Sequence, residues 1–495
     1  MRVLQTKPTK TCFGYWSFVA AALLAGFYFA TVVYAASRHN LFVDEIITVL
    51  VARLPGWTAI CKALAEGADV MPPTYHMVVR VFDNLFGHTD VAARLPSALG
   101  MAVGLLLTFD CARRLTDGLH GLIALSVLTC SYLPFYGGEA RSYGLYFMLA
   151  ALALWVWTQA REEKRSSAVA FGAVLFLCIT MHYYAVLCLV PYAVWEISNW
   201  KPWRLPSQKM LGGMLGVLCA AVVLSGSIQA SRRSFADPES FPPRFWATPS
   251  DLLLLFSSHL SQGFFPDGLF LLAMSMVWIA WAGRRDKTIP LDPMLPGERV
   301  GWFFICIPLA GYLLAKVTHV FVPRYFICAL PGIALAFSCW LWRHFGTRWR
   351  VSAGILLLLV AWGLARQVSM TRHPEYALGF DNLTRQQPKL EEALGNDGKR
   401  FFLVPNHLLY WVLRQYSRHP DQYAMPLFSD DPRLHDTIVM GQYYPVHLWT
   451  LQDLKKHTRE TALIGAPPSS LDGLKQAGFQ IKIRFAQPIE VVYLE

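Results

Sequence analysis

Two adjacent carboxylates, Asp44 and Glu45, stand just beyond the first long apolar stretch of the chain. A charge next to lipid is costly, so such residues are usually kept for a function. A carboxylate within hydrogen-bond reach of a hydroxyl group can take its proton as a general base. The same two residues also suit the start of a helix, with Asp44 as its N-cap and Glu45 in its first turn. Their spacing alone slightly favours this capping role.

The segment that must position these carboxylates is a first outer loop of about residues 38–94, which is too long for a simple connection. Apolar residues recur with helical spacing just after Glu45, which predicts an amphipathic helix lying along the membrane surface. These residues are Ile46, Ile47, Leu50, Val51 and Leu54. Further surface helices are predicted from Thr74 to Phe86 and, in a later outer segment, from Asp251 to Leu260.

The composition indicates a membrane protein. The chain has 495 residues, of which 54% are hydrophobic and 16% charged, and its mean hydropathy is +0.35. Apolar runs of about 20 residues recur along most of its length, which excludes a soluble protein and predicts an α-helical polytopic membrane protein rather than a strand barrel. About eleven spans are predicted, near residues 14–36, 95–112, 118–135, 142–159, two within 168–198 that divide at His182-Tyr183-Tyr184, 210–229, 267–283, 300–317, 325–342 and 351–368.

Basic residues set the predicted orientation in the membrane. The N-terminal tail carries Arg2, Lys7 and Lys10 and no acidic residue, so we place it in the cytoplasm. Arg and Lys clusters then fall on alternate loops, which puts the first outer loop and everything after about residue 370 on the extracytoplasmic side. In a Gram-negative bacterium this is the periplasmic side of the inner membrane. The cytoplasmic clusters explain the net charge of +11 better than an anionic lipid substrate does, and no nucleic-acid partner is expected.

The tail differs in composition from the rest of the chain. Residues 1–370 form the predicted transmembrane domain, and residues 371–495 form a small, soluble, extracytoplasmic α/β domain in which strand-like runs alternate with helical stretches. The predicted strands are Arg400–Val404, Thr437–Met440, Thr461–Ile464, Phe479–Phe485 and Ile489–Leu494, and the predicted helices are Leu408–Tyr416 and Leu451–His457. The composition and the predicted elements do not assign a role to this domain.

Six short segments, in this order and with this predicted topology, resemble the polyprenyl-phosphate-sugar branch of the C-type (GT-C) glycosyltransferase superfamily. That branch includes protein O-mannosyltransferases and the aminoarabinose transferase that acts on lipid A. The segments are Asp44-Glu45, Pro72-Pro73-Thr74-Tyr75, Phe86-Gly87, Arg94-Leu95-Pro96-Ser97, Glu139-Ala140-Arg141-Ser142-Tyr143-Gly144-Leu145, and Pro323-Arg324-Tyr325-Phe326 with Leu330-Pro331-Gly332. The resemblance covers about residues 40–345. It implies a GT-C-like helical fold and the transfer of a sugar from a lipid-linked phosphate.

The resemblance also implies catalytic roles. Asp44 would deprotonate the acceptor hydroxyl, with inversion at the anomeric carbon, while Glu45 is either an orienting neighbour or the base itself; Asp44 is favoured. The departing phosphate needs positive charge, and Arg141 and Arg324 on outer turns are the candidates. Snorkelling to the headgroup level explains both arginines equally well. Many members place a basic residue before the Pro-Pro pair, where this chain has Met71.

Other residues are weaker candidates for substrate binding. Glu139 and Tyr325 lie in the matching segments, and Tyr75 and His76 follow the Pro-Pro corner, where packing is an equally good explanation. A fifth candidate, His182, has the chemistry to contact a substrate hydroxyl, although simple solvation at the end of a span is the favoured explanation.

No metal or other cofactor is expected, because the lipid-linked sugar is a co-substrate and no Asp-x-Asp element stands in an outer membrane loop. Asp430-Asp431 in the tail is interpreted as part of a loop. The ten cysteines are scattered without a Cys-x-x-Cys pair, so neither a zinc site nor a disulfide framework is expected.

The leading hypothesis is an inverting membrane glycosyltransferase with a polyprenyl-phosphate sugar donor and an extracytoplasmic acceptor, which is lipid A, a surface glycan or a protein hydroxyl. The sequence lacks the Trp-Trp-Asp motif of oligosaccharyltransferases, which argues against asparagine glycosylation. A transporter or flippase of lipid-linked sugars is the alternative, but such proteins place ionisable residues within their spans, and here the spans are nearly free of charge. The intact Asp-Glu pair argues against a non-catalytic assembly subunit. The sugar, the acceptor, the carrier length and the oligomeric state stay open.

Overall fold

The computed structural model describes residues 13–38, 40–131, 133–159, 165–200, 205–236, 294–318, 320–346, 348–372, 401–427, 438, 440–444, 446–457, 461–464, 468–479, 481–485 and 491–494. The chain divides into two compact units. The first comprises Met1–Ala36, Arg94–Ser225 and Pro243–Arg372, and the second comprises Ser37–Ala93, Gly226–Pro242 and His373–Glu495. The predicted span near 267–283 and the predicted surface helix Asp251–Leu260 lie outside the described residues.

Helices dominate the described part of the chain. They are α1 (Phe13–Ala36), α2 (Val43–Ala52), α3 (Trp57–Ala65), α4 (Pro73–Phe86), α5 (Asp90–Leu115), α6 (Gly118–Thr129), α7 (Leu133–Gly137), α8 (Tyr143–Gln159), α9 (Arg165–Met181), α10 (Val190–Ser198), α11 (Gln208–Val223), α12 (Ser225–Ala236), α13 (Pro296–Phe303), α14 (Cys306–Thr318), α15 (Leu330–Phe345), α16 (Trp349–Arg372), α17 (His407–Tyr416), α18 (Leu451–Lys456) and α19 (Pro468–Gln476). Short 3₁₀ helices cover Tyr183–Leu189, Pro323–Ala329 and Pro420–Gln422.

Several helical segments of the first unit are suited to cross a membrane, as a polytopic protein requires. Within the described ranges, five are long and apolar enough: Tyr15–Ala36, Asp90–Leu115, Pro296–Thr318, Arg324–Phe345 and Trp349–Val368. Shorter apolar helices cover Gly118–Thr129, Tyr143–Gln159, Arg165–Met181 and Tyr183–Ser198. The chain is therefore a multi-pass membrane protein, and the number of eleven spans stays a prediction.

Two interruptions shape these helices. The long apolar stretch 168–198 divides where the sequence indicates, because α9 ends at Met181 and a 3₁₀ helix begins at Tyr183. The predicted single span 210–229 is instead bent by 71° between Gln208–Val223 and Ser225–Ser231. If this bent pair is one span, it is the sixth described segment that is suited to cross a membrane.

Small residues bring α9 and α11 into close contact. A methyl group on Gly216 would overlap the carbonyl oxygen of Gly172, and one on Gly212 would overlap the carbonyl oxygen of Ala168. Apolar side chains have no hydrophobic reason to leave lipid for a neighbouring helix, so spans associate through close packing of this kind.

A second close crossing joins two of the segments that resemble the glycosyltransferases. The Ser97 hydroxyl on α5 donates to the Tyr136 carbonyl at 3.1 Å and accepts from the Gly144 amide at 3.2 Å. Any side chain at Gly144 would collide with the main chain of Ser97. Arg94, three residues before Ser97, donates to the Ala36 carbonyl at 2.8 Å and so caps the end of α1. These motif residues fix helix positions.

The second unit contains the helices of the first outer loop. Every residue of α2 except Asp44 is buried, so the expectation of an amphipathic helix lying on the membrane surface is wrong for this segment. The reason is that α2 packs against α3, α4 and α17 and is enclosed by protein. Helix α4, by contrast, has a buried side with Tyr75 and Val79 and an opposite side that leaves Leu85 69% exposed.

The C-terminal residues of this unit form one six-stranded sheet with the strand order β3-β2-β1-β4-β6-β5. The strands are β1 (Phe401–Leu403), β2 (Tyr423–Pro426), β3 (His447–Trp449), β4 (Thr461–Ile464), β5 (Ile481–Phe485) and β6 (Val491–Leu494). β1 runs parallel to β2 and β4, β2 runs parallel to β3, and β6 runs antiparallel to β4 and β5. Helices lie in the connections, and the apolar core contains Leu403, Ala424, Trp449, Leu454, Leu463, Leu474 and Phe479.

The sheet differs from the expected set of strands in two places. Of the predicted strand Thr437–Met440, the described residues Ile438 and Met440 are helical. β2 and β3 were not predicted, because strands of four and three residues are too short to display an alternating pattern. Their stability comes from parallel pairing with β1 and with each other.

Candidate active site

The two adjacent carboxylates of α2, Asp44 and Glu45, differ in how far they are buried. It begins at Val43 with Phe42 as N-cap residue, so the expectation that Asp44 is the N-cap is wrong by two positions. Asp44 is half-buried and is the only residue of α2 that is not buried. The side chain of Glu45 is buried, with the residue 1% exposed. Asp44 is therefore the more accessible carboxylate of the pair.

Glu45 serves the helix itself. Its Oε2 atom accepts a hydrogen bond of 3.0 Å from the Phe42 amide, which belongs to the first, otherwise unsatisfied N–H groups of the helix. A buried carboxylate at this position is also stabilised by the positive end of the helix. This role explains why an acid stands at position 45 without assigning it any chemistry.

A buried imidazole and a carboxylate lie beside the same helix. His76, which is 0% exposed, places Nδ1 3.2 Å from the Pro72 carbonyl oxygen and Nε2 3.1 Å from Asp69 Oδ2. The ring of His76 is therefore held between the Pro72 carbonyl and the Asp69 carboxylate, both of which are hydrogen-bond acceptors. Sequence reasoning missed Asp69, because a single acid in a loop matches no motif.

Thr48 connects this pair to the helix that carries Asp44. Its hydroxyl donates to the Asp44 carbonyl at 2.8 Å and lies 3.5 Å from Asp69 Oδ2. The Pro-Pro corner explains the local geometry, since Pro72 is the N-cap residue of α4 and Pro73 is its first residue, where proline is tolerated. Of the candidates after this corner, Tyr75 is 1% exposed and His76 has both nitrogens occupied by protein groups, which favours packing for both.

A second pair, between a buried carboxylate and a partly exposed arginine, connects α2 to α4. Arg53, at the C-terminal end of α2, donates to both carboxylate oxygens of Asp83 on α4, at 2.9 and 3.1 Å, and His88 also contacts Asp83. Burial raises the pKa of Asp83, but the hydrogen bonds and charges of Arg53 and His88 outweigh it and hold the pKa below its usual value of 3.8. Asp83 therefore belongs to the scaffold of the first outer loop.

The lowered pKa of Asp83 predicts an acid-dependent loss of stability. A carboxyl group whose pKa is lower in the folded state stabilises that state above the unfolded pKa, and this contribution disappears as the pH falls through the folded pKa. We expect Asp83→Asn to lower the unfolding free energy by about 2 kcal/mol at pH 7. The difference from wild type should shrink below pH about 4. Thermal unfolding in detergent between pH 3 and 7 measures it.

The control for this experiment is Asp472→Asn, because the side chain of Asp472 is 67% exposed and pairs with Lys475 at 3.4 Å. It should unfold like wild type at every pH. A stability gap between wild type and Asp83→Asn that stays constant down to pH 3 would contradict the ion-pair explanation.

In the first unit, the predicted residues Glu139, Arg141, His182, Arg324 and Tyr325 come together around Tyr143. The Arg324 guanidinium carbon lies 5.6 Å from the centre of the Tyr143 ring. The charges of Arg141, Arg324 and Glu139 all act on Tyr143, and both arginines also act on His182. Tyr143 itself was not singled out, although it stands inside the matching segment 139–145.

His182 lies inside this cluster and is 2% exposed, so its expected solvation is wrong. Its ring stacks on Tyr146 at 4.8 Å between centroids with 6° between planes, and meets Tyr325 edge-on at 4.7 Å. Nδ1 accepts from the Tyr184 amide at 3.2 Å, which places the proton of the neutral ring on Nε2. Nε2 is buried and has no hydrogen-bond partner among the residues that the structure describes.

The cluster thus combines two guanidinium groups with a buried N–H donor, which is the chemistry that an anionic oxygen requires. Arg141 is 5% exposed, so a snorkelling arginine at a wet surface does not describe it. Met71 is 5% exposed and supplies no charge beside the Pro-Pro corner. Among the described residues no group of three or more His, Cys, Asp or Glu side chains could hold a metal ion, and Asp430-Asp431 lies outside them.

Comparisons with known proteins agree with this architecture. A sequence profile described as dolichyl-phosphate-mannose-protein mannosyltransferase matches residues 70–225, from the Pro-Pro corner through α11. The crystal structure of ArnT from Cupriavidus metallidurans bound to undecaprenyl phosphate superposes with a TM-score of 0.61 and 15% identity, covering 97% of this chain and 98% of that one. The expected resemblance to the GT-C glycosyltransferases is confirmed. The fold shared with ArnT spans nearly the whole chain.

Further solved structures are similar to this chain. ArnT from Cupriavidus metallidurans in the apo state also gives a TM-score of 0.61 at 15% identity, with 96% of each chain covered. An Archaeoglobus fulgidus oligosaccharyltransferase in complex with Zn and sulfate gives a TM-score of 0.39 at 11% identity, over 83% of this chain and 62% of that one. No curated protein sequence matches the chain.

Proposed function

We propose that this protein is a glycosyltransferase that moves a sugar from a polyprenyl phosphate carrier to a hydroxyl group of an extracytoplasmic acceptor, with Asp44 as the general base. One observation carries the proposal. In a helix that is otherwise buried, Asp44 alone keeps access to its surroundings, while its neighbour Glu45 is used by the N-terminus of the helix. The fold is that of ArnT, a protein crystallised with undecaprenyl phosphate.

The proposed reaction is a single displacement. The acceptor hydroxyl oxygen bonds to the anomeric carbon, its proton passes to the Asp44 carboxylate, and the bond from that carbon to the phosphate oxygen breaks with its electron pair leaving on the phosphate. Attack from the side opposite the leaving group inverts the anomeric configuration. The polyprenyl phosphate is a good leaving group, so neither a general acid nor a metal is invoked.

The phosphate formed in this step is assigned to the cluster around Tyr143. Arg141 and Arg324 supply positive charge where the leaving oxygen becomes negative, and His182 Nε2–H supplies a neutral donor. Glu139 and Tyr325 belong to the same cluster, since the charge of Glu139 acts on Tyr143 and the Tyr325 ring contacts His182 and Tyr184. The candidate acceptors are lipid A, a surface glycan and a protein hydroxyl, and the proposed location is the cytoplasmic (inner) membrane with the N-terminus inside. Neither the fold nor the family profile supports a transporter.

The test is a comparison of cell-envelope composition. Mass spectrometry of lipid A, surface glycans and envelope proteins is carried out on wild-type cells, on a deletion strain, and on that strain complemented with either the wild-type or the Asp44→Asn gene. We expect one species to lose a defined sugar mass in the deletion and to regain it only with the wild-type gene. Full restoration by Asp44→Asn removes Asp44 from the role of base, and an unchanged envelope in the deletion strain contradicts a sugar transfer to these acceptors.

A further inference from the structure

The C-terminal residues of the second unit reach the first outer loop through tyrosine side chains. Tyr416, the last residue of α17, donates its hydroxyl hydrogen to Asp90 Oδ2 at 2.8 Å and accepts from the Leu41 amide. Tyr444 donates to the main-chain carbonyl of Leu50. All of these residues belong to the same compact unit.

The hydrogen bonds from Leu41 to Tyr416 and from Tyr444 to Leu50 lie at opposite ends of the helix that carries Asp44. Leu41 stands two residues before the first residue of α2, and Leu50 lies in its last turn. Helix α17 also packs directly against α2. Both ends and one side of α2 are therefore held by residues that follow Arg372 in the chain.

The phenol of Tyr444 is suited to this role. Its partner is a carbonyl oxygen, which accepts only, so the phenol must keep its hydrogen. Burial raises the pKa of Tyr444 although Arg53 and Arg80 oppose this, and the hydroxyl stays protonated throughout the physiological range. The Leu50 carbonyl also accepts from the Arg53 amide at 3.1 Å, so Tyr444 adds a second donor at the end of the helix.

We propose that Tyr416 and Tyr444 are positioning residues through which the C-terminal sheet domain sets the position and orientation of α2, and with it the Asp44 carboxylate. This inference rests on the proposed function in one respect, the role of Asp44 as base. The sheet domain is thereby a functional part of the transferase even where it touches no substrate. Small displacements of a catalytic group are costly, since a misplacement of about 1 Å can reduce a rate about 100-fold.

The chain provides a matched control in Tyr443. It precedes Tyr444, and its hydroxyl contacts Glu66 Oε2 at an exposed position just after α3. Tyr443→Phe removes the same atom from the adjacent residue without touching either end of α2. The test variants are Tyr416→Phe, Tyr444→Phe and the double variant, all in the full-length protein.

Hydrogen exchange gives a readout that does not depend on activity. In purified protein in lipid nanodiscs, we expect amides of residues 41–52 to exchange at least about tenfold faster in the double variant than in wild type, since the variant loses a hydrogen bond at each end of α2. Tyr443→Phe should exchange like wild type there. Unchanged exchange of residues 41–52 in the double variant overturns the inference, whatever the activity.

Kinetics provide the second readout. For transfer to the acceptor identified from the envelope, the double variant should lose about 100-fold in kcat with KM for the lipid-linked sugar changed less than about threefold. Binding of undecaprenyl phosphate and the thermal midpoint should stay close to wild type. Faster exchange with a kcat equal to wild type limits the tyrosines to a structural role and overturns the positioning proposal. A different result would contradict the proposed function, namely full transfer activity of Asp44→Asn.

Discussion

Asp44→Asn should reduce the rate of sugar transfer by about 100- to 10,000-fold, the usual contribution of a positioned general base. The amide keeps the size and hydrogen-bonding capacity of the carboxylate, so the protein should fold and bind both substrates with little change in KM. Steady-state kinetics with purified protein measures both the rate of transfer and KM.

Glu45→Gln is the matched control for this experiment. The Gln side-chain oxygen can still accept from the Phe42 amide, which is the contact that Glu45 makes in the structure. We expect this variant to keep at least about a third of the activity, while Glu45→Ala loses about 1 kcal/mol of stability with the cap. If Glu45→Gln abolishes transfer and Asp44→Asn does not, the roles of the two carboxylates are reversed.

The second large effect is expected at the arginines near Tyr143. Arg141→Gln and Arg324→Gln should each lower kcat/KM by about 100-fold, because each removes a positive charge from the place where the leaving phosphate becomes negative. The dissociation constant of undecaprenyl phosphate should rise in both variants, while that of neutral undecaprenol stays near wild type. Intrinsic fluorescence titration in nanodiscs measures both ligands.

Two further variants distinguish an effect of charge from a general disturbance of the pocket. Arg350→Gln is the control, because Arg350 is exposed and stacks on Trp349, and it should bind both ligands like wild type. His182→Phe keeps an aromatic ring against Tyr146 and Tyr325 but removes the Nε2–H donor, so we expect a loss of about tenfold for undecaprenyl phosphate alone. Equal losses for undecaprenol and its phosphate would show that the substitutions act by disturbing the pocket and not through charge.

Part of this molecule follows directly from local sequence. The break at His182 was predictable because an apolar run of 31 residues, 168–198, is too long for one span. The strand Thr461–Ile464 and the helix after Thr450 stand where their patterns put them, the latter with a capping box formed by Thr450 and Asp453. Patterns of this kind involve only residues that are close together in the chain, so they can be recognised from the sequence.

The rest depends on partners that are distant in the chain. The sequence of α2 reads as amphipathic, and only its contacts with α4 and α17 explain why it is buried on all sides but one. In the sequence, His182 resembles any polar residue at the end of a span. In the structure its ring is covered in part by Tyr325, which lies 143 positions later in the chain. Likewise, no pattern in the neighbouring sequence predicts the Asp69–His76 pair or the contacts of Tyr416 and Tyr444 with α2. The family resemblance found the motif residues but not the contacts that hold them.

The distance between Leu41 and Tyr416, 375 positions along the chain, has a consequence for biosynthesis. Chains generally fold from the N-terminus as they are made, yet the unit that contains α2 is assembled from three separated segments, the last of which begins at His373. A ribosome therefore delivers Asp44 more than 370 residues before Tyr416 and Tyr444, whose phenols contact the two ends of its helix. A messenger truncated after Arg372 would still encode the membrane-spanning helices described above, but its product would lack the contacts that Tyr416 and Tyr444 make with the two ends of α2. The helix that carries Asp44 can therefore be fully assembled only after the residues that follow Arg372 have been synthesised.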